Sequence, residues 1–73
     1  MLKVDTPYRF IVFGCRPSDD LLVELHTDKF TDAVVMQSVL YSGEDFQSRI
    51  FDNEKQQFIK PAVIDHAAQF LLN

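Results

Sequence analysis

The chain has 73 residues, a net charge of −4 at pH 7 and a single cysteine. This length predicts one domain over residues 1–73, and the single cysteine excludes an internal disulfide. The acidic balance argues against a duplex nucleic acid binder, which needs clustered Lys and Arg, because the seven basic residues are scattered singly.

The N-terminal part of the chain predicts an arm followed by two strands. Residues 1–7 are expected to form a loose arm, and residues 8–14 a strand with apolar side chains on both faces. Residues 15–20 contain Pro, Ser and Asp, which indicates a loop. Residues 21–26 alternate as a half-buried strand does, although a short helix capped by Ser18 also fits their spacing.

The middle of the chain predicts a helix over residues 32–42. Thr31 is a suitable N-cap, and Gly43 supplies a C-terminal stop. The apolar residues of this segment recur at helical spacing, so we expect one stripe of them to face the sheet. That predicted stripe consists of Val35, Met36, Val39 and Leu40.

The C-terminal part of the chain predicts a hairpin and a second helix. Residues 46–52 alternate as a strand, residues 53–55 are typical of a turn, and residues 57–60 form the return strand. Pro61 suits the first turn of a final helix over residues 62–72. Its expected apolar face is Val63, Ile64, Ala67, Phe70 and Leu71.

The element order is β-β-α-β-β-α, which indicates the α+β class: a small antiparallel sheet with a helix packed on one face and a C-terminal helix. We expect strands one and two to pair with Phe10 opposite Leu25, Val12 opposite Val23 and Gly14 opposite Leu21. The first face of the sheet then carries Phe10, Val12, Leu21, Val23 and Leu25, beneath the middle helix. The predicted core is Phe10, Val12, Val23, Leu25, Val35, Val39, Leu40, Ile50 and Leu71.

The second face of the predicted sheet mixes apolar and charged residues. It carries Arg9, Ile11, Phe13, Leu22, Glu24 and His26, and Arg49 and Phe51 can join it from the third strand. Three interpretations stay open: the C-terminal helix covers this face, a second copy of the chain covers it, or a different protein does. We favour a contact surface, because one short helix cannot cover this face and also complete the first core.

The candidate catalytic and ligand-binding motifs each lack a required residue. Cys15 and Arg16 do not form the C-x₅-R loop of a phosphatase, because Leu21 stands at the arginine position. No Ser or Cys has the sequence context of an activated nucleophile for His26 or His66. The calcium-loop and glycine-rich phosphate-loop patterns are absent, and the two histidines and one cysteine have no metal-ligand spacing. We therefore expect no catalytic site, no metal and no cofactor.

A platform for single-stranded nucleic acid is the weakest of the binding hypotheses. Phe13 and Phe51 with Arg9 and Arg49 imitate the exposed aromatics and cations of an RNA-recognition sheet. The glycine-rich aromatic motif and the basic surroundings of such a sheet are missing.

The sequence therefore predicts a small binding or regulatory protein that acts through contact with another protein. Short acidic chains without catalytic equipment are typical of accessory factors encoded in operons or by phages. A structural subunit or homodimer is the alternative function. The unpaired cysteine, and the absence of a signal peptide or a long uncharged apolar run from the sequence, predict a cytoplasmic location without membrane insertion.

Overall fold

A computed structural model describes residues 6–43 and 45–71. It contains six elements in chain order: β1 (Phe10–Arg16), β2 (Leu21–Thr27), α1 (Phe30–Gly43), β3 (Gln47–Asp52), β4 (Gln57–Phe58) and α2 (Pro61–Leu71). The four strands form one antiparallel sheet in the order β2-β1-β3-β4. The predicted α+β class and the element order are confirmed, and the helical alternative for residues 21–26 is wrong.

The predicted register of β1 against β2 is wrong by two residues. Val12 lies opposite Leu25 and Gly14 lies opposite Val23, because β1 continues to Arg16 before the chain turns. The turn over residues 17–20 is closed by a 2.7 Å ion pair between Arg16 and Asp19, and Asp20 has a left-handed φ of 59°. A slip of two residues keeps every side chain on its predicted face, since the side-chain period of a strand is two.

The first face of the sheet is covered by α1, as predicted, but α1 is rotated from its predicted orientation. Its buried residues are Ala33, Val34 and Gln37, whereas Val35 is exposed and Val39 is 63% exposed. The helix also begins at Phe30, one residue before the expected cap Thr31, with the Ala33 N–H donating to the Lys29 carbonyl.

The core lies between the first face and the two helices. Phe10, Val12 and Ile50 from the sheet pack in one cluster with residues of α1 and with Ile64 of α2. The predicted core members Leu25, Val35, Val39 and Leu71 are wrong, because all four are exposed. Their places are taken by Ala33, Val34 and Ile64.

The helix α2 packs against α1 and has no close backbone contact with any strand. Its buried residue, Ile64, belongs to the same cluster as the first face, so both helices lie on one side of the sheet. The interpretation in which the C-terminal helix covers the second face is therefore wrong. The expected apolar face of α2 is wrong at Val63, Phe70 and Leu71, which are exposed.

The N-terminal arm is described only from Thr6 onwards, so residues 1–5 of the predicted loose arm lie outside the described residues. Thr6 is held by contacts with two distant parts of the chain. Its hydroxyl is hydrogen-bonded to His26 Nδ1 at 2.7 Å, and its carbonyl accepts from the Asn53 amide at 3.4 Å. These contacts connect Thr6 to β2 and to the turn after β3, and the loose arm stays a prediction.

Candidate functional site on the second face

The residues that the sequence assigned to the second face differ widely in exposure. Ile11 is fully buried and Phe51 is 2% exposed, so neither side chain offers area to a partner. Phe13 and His26 are half-buried, whereas Leu22, at 73% exposure, is the most accessible apolar side chain of the sheet. The accessible part of the predicted surface is therefore its end around Leu22, Glu24 and Arg49.

Phe58 is a member of the second face that the sequence analysis did not assign to the site. The β3–β4 hairpin sets Phe58 opposite Phe51, and the two rings meet edge to face with centroids 5.1 Å apart. The Phe58 ring also lies 6.3 Å from the ring of Phe13. Phe58 thus helps to bury Phe51 and takes its place as an exposed aromatic ring. Pairing the last residue of the predicted third strand, residue 52, with the first residue of the predicted return strand, residue 57, gives this arrangement.

Arg49 lies over the exposed side of this aromatic group. Its guanidinium carbon is 5.7 Å from the centroid of the Phe58 ring, a cation–π geometry. Among the residues that the structure describes, no carboxylate lies within ion-pair distance of Arg49. The side chain therefore keeps its charge and its hydrogen-bond donors available to a ligand.

Arg9 does not share this role, although its sequence position suggested it. Its guanidinium grips Asp52 with two hydrogen bonds of 3.1 and 3.3 Å and lies 3.5 Å from Glu54. Burial raises the pKa of Asp52, whereas the hydrogen bonds from Arg9 and from the Lys55 and Glu54 N–H groups lower it. The hydrogen bonds have the larger combined effect, so the pKa of Asp52 lies below its ordinary value. Arg9 holds the β3–β4 turn and contributes no free cation to the second face.

Glu24 and His26 form a polar pair at the β2 side of this face. Glu24 Oε1 is 2.7 Å from His26 Nε2, and the ring of Tyr8 meets the His26 imidazole at a centroid distance of 6.1 Å. Phe13 of β1 lies opposite both Glu24 of β2 and Arg49 of β3. The Glu24 carboxylate and Arg49 therefore lie on the same face of the sheet, on either side of Phe13.

A cleft of about 520 Å³ opens at this end of the second face. Phe13, Leu22 and Phe58 supply apolar walls, Arg49 and Glu24 supply the two charges, and Cys15 contributes a half-buried thiol. Such a cleft is large enough for one or two side chains of a partner. Its predominantly apolar lining and its two separate charges of opposite sign suit a polypeptide that presents an apolar anchor.

Tyr41 closes the neighbouring edge of β3. Its hydroxyl donates to the Ser48 carbonyl at 3.1 Å and accepts from the Ser48 N–H at 3.3 Å. The buried Ser48 hydroxyl itself has no hydrogen-bond partner within residues 6–43 and 45–71.

A metal centre and a membrane span are both unsupported by the described part of the chain. No group of three His, Cys, Asp or Glu side chains in residues 6–43 and 45–71 is placed to hold a metal ion. Neither α1 nor α2, the helices of those ranges, combines the length and the apolar character that crossing a bilayer requires.

Comparison of the chain with protein-family models, with curated proteins and with solved structures gave no match.

Proposed function

We propose that this protein acts by binding another protein through the cleft of the second face. The observation that carries the proposal is the combination, at one open end of the sheet, of an exposed Leu22 with Arg49, which lies over the Phe58 ring and has no carboxylate partner among the described residues. Both helices lie on the opposite side of the sheet, so no described helix covers this end. The proposal assigns no chemical step to the protein.

The cleft selects for a partner of particular chemistry. Binding hot spots combine a desolvated apolar pocket with aromatic and arginine side chains. The apolar walls fit a leucine or aromatic side chain, and the free guanidinium of Arg49 fits a carboxylate beside that anchor. We therefore assign the partner as a protein that presents an apolar residue next to Asp or Glu. A regulatory or adaptor role follows if that partner is the larger component.

Single-stranded nucleic acid gains little support from the same geometry. Its platform required Phe51 and Arg9, but Phe51 is buried and Arg9 is bound to Asp52. Arg49 is then the one cation of the predicted platform that stays available, whereas a groove for single strands follows the backbone with several cations.

Affinity capture from extracts of the source organism tests the proposal with matched variants. The variant Leu22→Asp places a charge in the cleft, and Arg49→Glu reverses the free charge on a different strand. Phe70→Asp is the control, because Phe70 on α2 is 76% exposed and lies away from the second face. All three substitutions are at exposed positions, so we expect each variant to fold.

We expect the wild type and Phe70→Asp to retain the same stoichiometric partner and the two cleft variants to lose it. A hot-spot substitution that costs about 2 kcal/mol or more weakens binding roughly thirtyfold. Retention of the partner by both cleft variants at wild-type yield would contradict the proposal.

A further inference from the structure

The two edges of the sheet differ in how they are protected against pairing with a further strand. The β4 edge is two residues long and is followed by Pro61, and the exposed part of β3 is closed by the Tyr41 hydroxyl. The β2 edge runs over seven residues, Leu21–Thr27, without Pro, Lys, Arg or a bulge. Proteins normally protect a long edge with such features, since an unprotected one pairs with another strand.

The main-chain groups of β2 show which residues present the free edge. Ile50 and Ser48 use their main-chain groups on the outer side of β3, so the alternate residues of β3 bond to β1. The main-chain groups of successive residues in a strand point alternately to its two neighbouring strands. Through the register of β1, this alternation directs the N–H and C=O groups of Leu25 and Val23 towards β1. The intervening residues, Leu22, Glu24 and His26, therefore point their N–H and C=O groups outward. None of these groups has a hydrogen-bond partner in the described part of the chain.

We propose that a second copy of this chain pairs with this edge, β2 antiparallel to β2 about a two-fold axis, to form a continuous sheet of eight strands. Among polypeptide conformations, an extended strand matches a row of alternating N–H and C=O groups along its whole length. A second copy supplies an identical unprotected strand, and the two-fold axis lets each β2 donate and accept equally. This inference goes beyond the proposed function, which concerns the cleft and not the edge.

Side-chain chemistry selects the register of this pairing. Full overlap sets Glu24 directly opposite Glu24 of the second copy, and like charges in that position are destabilising. A slip of two residues sets each Glu24 opposite His26 of the other copy and brings Leu25 next to its own counterpart at the axis. A slip of two residues leaves every side chain on the same face of the sheet, so both Leu25 side chains lie on the first face, the side of the core. Both clefts then lie on the same face of the joined sheet.

The purified full-length chain tests the inference by sedimentation equilibrium. We expect the wild type to have twice the monomer mass at micromolar concentrations. Glu24→Pro removes an outward N–H without removing a bond to β1, so this variant should stay folded and dimerise more weakly by about tenfold or more. Phe70→Asp is the control and should dimerise as the wild type does.

Two further measurements test the register and remain informative if Glu24→Pro fails to fold. In a Cys15→Ser background, Leu25→Cys should form an intermolecular disulfide under mild oxidation, because non-hydrogen-bonded antiparallel neighbours lie about 4.5 Å apart between Cα atoms. Leu21→Cys should not. In the wild type, the amide hydrogens of Glu24 and His26 should exchange slowly with solvent.

A wild-type chain that is monomeric throughout the micromolar range overturns the inference, whether or not those amides are protected. Dimers of a folded Glu24→Pro variant with wild-type affinity overturn it as well. Neither result bears on the cleft, since partner capture is measured with Leu22→Asp and Arg49→Glu and does not depend on the mass of the free protein.

Discussion

Gly14 lies on the first face at a point where the protein has no room for a side chain. A Cβ atom at this position would lie 2.7 Å from Val23 Cγ2, 3.1 Å from Leu40 Cδ1 and 3.3 Å from Phe46 Cδ1. The backbone of Gly14 does not have a positive φ. The requirement for glycine is therefore one of packing between β1, β2 and α1, and not one of conformation.

The size of the effect of Gly14→Ala follows from two opposing terms. Overpacking of a well-packed site costs about 1–3 kcal/mol, and Val23 relieves it poorly because a β-branched side chain has few rotamers. The lower entropy of the unfolded chain returns about 0.4–1 kcal/mol. We expect a net loss of about 1–2 kcal/mol in the free energy of unfolding, against a total of roughly 4–11 kcal/mol for a chain of this length.

Urea denaturation followed by far-UV circular dichroism measures this loss in a double-mutant cycle. The four proteins are the wild type, Gly14→Ala, Val23→Ala and the double variant. Val23→Ala removes the atom that lies nearest to the new Cβ. In that background we expect Gly14→Ala to be neutral or slightly stabilising, which gives a coupling free energy of about 1–2 kcal/mol.

Two results would refute this reasoning. A Gly14→Ala variant as stable as the wild type would show that the space around Gly14 is larger than the contacts with Val23 and Leu40 indicate. Equal costs of Gly14→Ala in the two backgrounds would show that Val23 is not the opposing group.

Three further predictions concern the turn, the sheet edge and the second helix. Asp52→Asn should cost about 2–3 kcal/mol in the free energy of unfolding at pH 7. Because folding lowers the pKa of Asp52, this contribution is present above the unfolded value near 3.9 and is lost as the pH falls through the folded value. Urea titrations should therefore separate the variant from the wild type at pH 7 and give the same stability for both in acid. Tyr41→Phe should cost about 0.5–1 kcal/mol and speed hydrogen exchange of the Ser48 amide, and unchanged exchange would contradict the edge-closing role. Ile64→Ala should cost about 2–4 kcal/mol, whereas Phe70→Ala, at an exposed position, should change the unfolding free energy by less than about 0.5 kcal/mol.

Much of the sheet was predictable because alternation is a local property. The side chains of β1 and β2 lie on the faces that their positions indicated, even though the register was wrong by two residues. The error arose at Cys15 and Arg16, which extend β1 beyond the predicted end at Gly14. The Arg16–Asp19 pair lies at the turn that follows this extension, and the composition of the loop does not reveal that contact.

The orientation of α1 was not predictable from the spacing of its apolar residues, because these residues occur on all sides of the helix. Val35 and Val39 form a regular stripe in sequence, yet they face outward. The buried side chains are Ala33, Val34 and the polar Gln37, and Met36 and Leu40 pack against the core beside them. Which side of the helix is buried depends on the strand residues that it meets, and these are distant in sequence.

The sequence by itself determined the strand and helix order, the two faces of the sheet and the mixed chemistry of the second face. Each of these depends on residues two to four positions apart, where local geometry dictates the pattern. Only the tertiary structure decided that both helices share one side, that Phe58 buries Phe51, that Asp52 holds Arg9, and that Leu22 and Arg49 stay exposed. These outcomes depend on contacts between segments that are distant in sequence. Several segments can cover the same apolar area, and the packing of the whole chain decides which of them does.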